Sequence, residues 1–372
     1  MLSFVKESLL GLLSIFIALV LLAIVGEVAI RAYYFYQEAA PERRMNNAIE
    51  LDNKLGWRAT PNYRFVGELV DAEGQAYHAS VSTDDRGFRL YGDPEEQDKK
   101  KMLVVGDSFT HAVDTSDDKT YFASLADELS LEMFAIGVRG YGTLQQYMLL
   151  DEVYDEIDPD IVLIQFCGND FINNSFELEL AARGNNNGLR RPYLEGEEVV
   201  YRIPKDYASL REFAYKYSRL LYLVFTSIDR LDAQSSREPR EGLHSEKAIV
   251  VHGRSYPPFR DAIETTDRLF ARIRARVPTS VPIYVFIGQH GGPIRPALRD
   301  IAAKNDMHLV KGVSRAIKLA ERSGNNVHAA DGAHWNDTGH RIVAAAIRGY
   351  LEEHRVVRHQ QPDSAEAALD RP

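Results

Sequence analysis

Met102-Leu103-Val104-Val105-Gly106-Asp107-Ser108-Phe109-Thr110 decides how this chain is read. An apolar run of four residues, preceded by lysines and stopped by a glycine, has the pattern of a strand covered on both faces. It delivers a hydroxyl, Ser108, to its carboxyl end, where open α/β sheets bind ligands. The same grammar repeats downstream. Residues 132–138 form a second strand, followed by glycines and a helix over 144–157. Residues 161–166, apolar apart from Gln165, form a third. Helices are expected at 120–129, 260–276, 293–304 and 338–353, with further strands at 282–287 and 308–313. Strands alternating with helices through short loops predict an α/β fold with a parallel sheet between helices.

Outward from this block the chain changes character. Residues 9–30 are apolar except for Ser14 and Glu27, long enough to cross a bilayer as a helix of about 20 residues. A soluble core helix is rarely apolar on every face, and a cleaved leader usually shows small residues at its cleavage site. We therefore read residues 1–32 as an uncleaved N-terminal anchor. Lys6 before the span, and Arg31, Arg43 and Arg44 after it, do not fix its orientation, because a long domain is translocated regardless of such charges. Residues 33–54 read as a linker, with a turn at 55–62. Residues 55–100 are a small β-rich element packed on the main domain, with strands near 63–69 and 77–82. The α/β domain spans 101–356, and the polar tail 357–372 reads as disordered.

The strand-helix alternation is interrupted over 171–256. A hairpin is expected there, 192–195 against 199–203 around Gly196, then one helix over 210–231. Its stripe of Phe213, Tyr217, Leu220, Leu221 and Val224 is read as packing on the sheet domain, with a lipid-facing role as the lesser alternative.

Composition narrows the function. The chain has 372 residues, 45% hydrophobic and 26% charged, so a packed core is expected. Its net charge of −10 leaves no basic excess for phosphates, which argues against nucleic acid as a partner. Cys167 is the only cysteine, so neither an intrachain disulfide nor a thiolate metal cluster can form. No histidine or carboxylate set has metal-ligand spacing, and no cofactor is expected. The glycines at 137–142 lack the Lys-Ser or Lys-Thr of a phosphate-binding loop.

The chemistry lies in residues at strand ends. Ser108 is a poor nucleophile without a base. His334 can be that base, because Asp331, three residues earlier, can fix its tautomer and stabilise the imidazolium. Gly140 offers a backbone N–H, and Asn169 a neutral amide, to a developing oxyanion. Each feature alone is also an ordinary turn or cap. Together they meet the needs of one reaction, ester cleavage.

These blocks resemble those of the SGNH, or GDSL-type, hydrolase superfamily, in its membrane-anchored bacterial form. Gly106-Asp107-Ser108 matches the first block, Gly140 the second, Gly168-Asn169-Asp170 the third and Asp331-Gly332-Ala333-His334 the last. The likeness spans about 101–351, outside the insertion. It implies a flavodoxin-like three-layer α/β/α sandwich. It also implies Ser108 as nucleophile, His334 as base and Asp331 as its partner, with an oxyanion hole from the Ser108 and Gly140 N–H groups and the Asn169 amide. Ala135 stands where the second block often has asparagine, and Cys167 where the third often has glycine. Asp107, Gln289 and His290 are further candidates for substrate contact.

The resulting expectation is a serine esterase acting through an acyl-enzyme on carbohydrate or lipid O-acyl esters. It is bound to the bilayer through residues 9–30, with the domain on the extracytoplasmic, periplasmic side. An O-acyltransferase modifying a cell-envelope polysaccharide through the same site, or a non-catalytic scaffold of the same fold, are the alternatives. Activity should rise as His334 loses its proton, near neutrality (about 6–7).

Overall fold

A computed structural model describes residues 2–38, 48–182, 189–205, 207–235, 244–288 and 292–357. In chain order the elements begin with helix α1 (Leu2–Glu38) and strands β1 (Ile49–Asp52), β2 (Gly56–Ala59), β3 (Arg64–Val70), β4 (Ala76–Ser82) and β5 (Leu90–Tyr91). There follow β6 (Lys101–Gly106), α2 (Ser108–His111), α3 (Tyr121–Leu129), β7 (Glu132–Gly137), α4 (Thr143–Ile157) and β8 (Ile161–Phe166). The insertion contributes α5 (Asp170–Asn173), α6 (Phe176–Leu180), β9 (Arg191–Glu195), β10 (Glu198–Arg202), α7 (Ala208–Tyr217), α8 (Arg219–Ser235) and α9 (Ser245–His252). The chain closes with α10 (Pro257–Arg276), β11 (Ile283–Ile287), α11 (Ile294–Lys304), β12 (His308–Leu309), α12 (Val313–Arg322) and α13 (Asp337–Glu353).

The main sheet has six strands in the order β12-β11-β8-β6-β7-β5. Every pairing is parallel except that of β5 with β7. Alternation along β6 splits its side chains between two apolar layers. Leu103 and Val105 join one with residues of α4, α10 and α11, and Met102 and Val104 join the other with residues of α3 and α13. The α/β/α arrangement expected from the sequence is therefore present.

Four local expectations are corrected. The turn expected at 55–62 contains strand β2, paired with β1. The last strand shrinks to His308–Leu309, because Gly312 takes a φ of +102° and Val313 opens helix α12. The single helix over 210–231 is two, broken at the extended Ser218. Its stripe does not pack on the sheet: Phe213 and Tyr217 are 50% and 63% exposed, and Val224 is exposed too.

The β-rich segment joins the main domain more closely than its sequence implied. Its Leu90 and Tyr91 form the edge strand of the main sheet. Trp57 is fully buried in the layer that holds α4.

Candidate active site

Since β7, β6 and β8 are adjacent and parallel, their carboxyl ends place Ser108, Gly140 and Asn169 on one edge of the sheet. Ser108 is the first residue of α2, capped by Asp107, whose Oδ1 accepts from Phe109 N at 3.0 Å. This sharp turn needs glycines beneath it. A Cβ on Gly106 would sit 2.3 Å from Thr110 Oγ1 and 2.5 Å from Gln165 Oε1, and one on Gly137 2.7 Å from the Asp107 carbonyl oxygen. Gln165 Oε1 in turn accepts from Asp107 N (3.0 Å) and Thr110 Oγ1 (3.2 Å), so a buried polar side chain in β8 holds the turn that presents Ser108.

His334 comes from the loop before α13. Asp331 Oδ1 accepts from the backbone N–H groups of Ala333 and His334, both at 2.9 Å, which folds the loop back on itself. Asp331 Oδ2 accepts from His334 Nδ1. With Nδ1 carrying the proton, Nε2 is left to accept from Ser108 Oγ at 2.8 Å. The imidazole also lies against Phe109, with ring centroids 5.0 Å apart, and Phe109 packs on the buried Trp335.

Charges tune this chain of groups. Burial works to lower the His334 pKa, but the hydrogen bond and charge of Asp331, joined by Asp114 and Asp107, raise it above the ordinary histidine value. Burial works to raise the Asp331 carboxyl, yet His334 and the two backbone donors hold it well below the usual carboxylate range. Asp107 and Asp170 form a buried acidic pair. Burial pushes both up, and the Asp107 charge raises Asp170 further. Asp107, one of the candidates for substrate contact, is fully buried and its Oδ1 caps α2. Gln289 and His290 lie outside the described residues.

The loop bearing Gly140 is gripped from two sides. Gly140 has a φ of +78°, which favours glycine. Trp57 Nε1 donates to Arg139 O at 2.9 Å. Carbonyl and N–H of a trans peptide point opposite ways, so the Gly140 N–H points away from Trp57. Arg191, fully buried in β9, donates through Nη2 to Gly140 O at 2.7 Å and through Nη1 to Gln145 Oε1 at 3.1 Å. Its guanidinium lies 4.8 Å from the Trp57 ring and pairs through Nε with the buried Glu179 at 2.9 Å. Burial pushes the Glu179 carboxyl up to about 7, against the pull of Arg191.

Neither Gly140 N–H nor Ser108 N–H has a hydrogen-bond partner among the described residues. Asn169 Nδ2 lies 3.0 Å from Asn173 Oδ1. Turning the Asn173 amide over satisfies more neighbours. Its oxygen then accepts from Arg191 Nη2 at 3.0 Å and its nitrogen donates to Asn169 O at 2.8 Å, with that nitrogen, not an acceptor, 3.0 Å from Asn169 Nδ2.

The sequence reading missed Trp57, Arg191 and Gln165. Gln165 left one signal, a lone polar residue in an apolar strand. Trp57 and Arg191 left none, since their role depends on distant segments meeting at the loop. No cluster of three or more histidine, cysteine or acidic side chains able to hold a metal occurs among the described residues.

The sheet order, the serine turn and the histidine-carboxylate loop have the arrangement that acyl-ester hydrolysis requires. The model of the GDSL-like lipase/acylhydrolase family matches residues 104–342, and the chain belongs to that family. No curated protein matches it. Several solved structures resemble it at low identity. A lipase/acylhydrolase from Enterococcus faecalis is 11% identical, with 71% of this chain and 100% of that one covered, at a TM-score of 0.39. An α/β hydrolase enzyme from the metagenome of Lake Arreo, Spain, is 16% identical, covering 71% and 97% at 0.36. An acetylxylan esterase from Geobacillus stearothermophilus is 14% identical, covering 68% and 94% at 0.35.

Proposed function

We propose that this chain is a serine esterase that cleaves O-acyl esters of carbohydrate or lipid alcohols through an acyl-enzyme on Ser108. The observation that carries the reading is the continuous line from Ser108 Oγ to His334 Nε2 and from His334 Nδ1 to Asp331. As Ser108 Oγ attacks the acyl carbonyl, its proton passes to Nε2, and Asp331 stabilises the imidazolium. The carbonyl electrons move onto oxygen, where the unpartnered N–H groups of Ser108 and Gly140, with the Asn169 amide, receive them. Collapse of the adduct breaks the bond to the alcohol, which leaves with the proton from His334. Water, giving a proton to the same nitrogen, then attacks the acyl-enzyme; collapse releases the acid and restores Ser108. Trp57 and Arg191 act as positioning residues that hold the 139–140 peptide in register with Ser108.

The test is a panel of short- and long-chain esters and acetylated glycans, run on the full chain and on Ser108→Ala. Free acid from the wild type and none above background from Ser108→Ala supports the reading. Undiminished release by Ser108→Ala overturns it. Acyl groups appearing on an added glycan instead of in water would mark an acyltransferase.

A further inference from the structure

We propose that α1 crosses a bilayer and that the outward faces of α7 and α8 rest in its interfacial layer. On this reading the insertion seats the catalytic domain on the membrane. Leu210, Phe213 and Tyr217 recur at helical spacing along α7, and all three are exposed. Leu223, Val224 and Ile228 do the same on α8. Soluble surfaces seldom carry two adjoining apolar stripes without a partner.

The contacts with α1 say what covers them. Leu10–Tyr33 of α1 is long and apolar enough to span, and among the described residues nothing buries its most apolar stretch. Near the end of that stretch, the Glu27 carboxylate accepts from Arg219 N (3.0 Å), Leu220 N (2.9 Å) and Ser218 Oγ (3.0 Å). It thus caps α8 from another helix, alongside the extended Ser218, whose Oγ accepts from Leu221 N at 3.2 Å. Arg31 donates through Nη2 to Tyr217 O at 2.9 Å and through Nε to Glu27 at 2.6 Å. Gly26 lies flat against Leu220, since a Cβ there would meet Leu220 Cδ2 at 3.4 Å.

A carboxylate this close to lipid is tolerated only when its charge and lone pairs are satisfied, as they are here. The α7–α8 junction therefore sits at the depth of Glu27 and Arg31, the lipid–water boundary of the span. At that depth Arg31 pairs with Glu27 and Lys216 with Glu212 at 3.1 Å, so the polar groups are neutralised locally while the apolar stripes meet the upper acyl chains.

The test uses full-length protein in lipid nanodiscs. Cys167 is buried, so introduced cysteines take an environment-sensitive fluorophore selectively. Labels go on Phe213→Cys, Tyr217→Cys and Val224→Cys, with exposed controls Val66→Cys on β3 and Leu319→Cys on α12. Lipids carrying a shallow nitroxide should quench the three test sites at least about twofold and the controls not at all, with iodide showing the reverse order. Iodide quenching all five sites alike, with no lipid quenching, overturns the proposal. So does shielding from iodide without lipid quenching, which would mean that a second copy of the chain covers the face. The unfolding temperature of each variant checks that the fold is kept. None of these readings depends on Ser108 chemistry, so they stand or fall apart from the esterase proposal.

Discussion

At the scale of single residues, two opposing effects set the protonation of His334. Burial alone would leave it neutral at low pH, and Asp331 more than reverses this. A base acts only when deprotonated. The rate kcat/KM should therefore be low in acid and rise with pH, with a midpoint above the ordinary histidine value of about 6.5. A pH profile of kcat/KM checks this; a flat profile from about pH 5 to 9, with chemistry limiting, would remove His334 from the role. In Asp331→Asn the charge that raises His334 is gone and the tautomer is no longer fixed. Its acid limb should shift to lower pH and its kcat fall by about 10³–10⁴-fold, with the unfolding temperature near that of the wild type. The four site blocks were legible in the sequence because each is a local turn whose residues are contiguous. Gln165, Trp57 and Arg191 were not, because a hydrogen bond to Arg139 O from residue 57 has no signature at either position.

At the scale of elements, the sequence predicted most of the α/β framework because buried strands and amphipathic helices carry their own periodicity. It failed where local stops interrupt a periodic run. Ser218, extended and accepting from Leu221 N through Oγ, caps α8 while Glu27 of α1 accepts from the Arg219 and Leu220 N–H groups, and Gly312 turns the chain after β12. The loop after β7 tests how far such contacts reach into the chemistry. Trp57→Phe keeps a ring against Arg191 but removes the donor to Arg139 O, so kcat should fall about tenfold with KM little changed, less than the loss of an oxyanion donor itself. Steady-state kinetics separate the two constants; a rise in KM alone would assign Trp57 to substrate binding. Arg191→Leu leaves Glu179 buried without its cation and should cost about 3–5 kcal/mol, read by denaturant unfolding. Gly106→Ala forces a Cβ against Thr110 and Gln165 and should cost about 1–3 kcal/mol by the same measurement.

At the scale of the whole molecule, the chain reads as an α/β hydrolase domain with two outside contributions to one loop. The segment before the domain supplies Trp57 and strand β5, and the insertion supplies Arg191. Residues 55–100 are therefore expected to unfold together with the main sheet. Calorimetry should show one transition for the two, and a separate early transition for the β-rich segment would contradict that coupling. The same insertion touches α1 through Glu27 and the Gly140 loop through Arg191, so one segment links the candidate span to the candidate site. Mass spectrometry of the full chain after reaction with a fluorophosphonate decides whether Ser108 is the nucleophile. One adduct per chain is expected, mapped to Ser108, absent in Ser108→Ala and formed far more slowly in Asp331→Asn. A wild-type protein that hydrolyses an ester yet carries no adduct, or carries it on another residue, would contradict it.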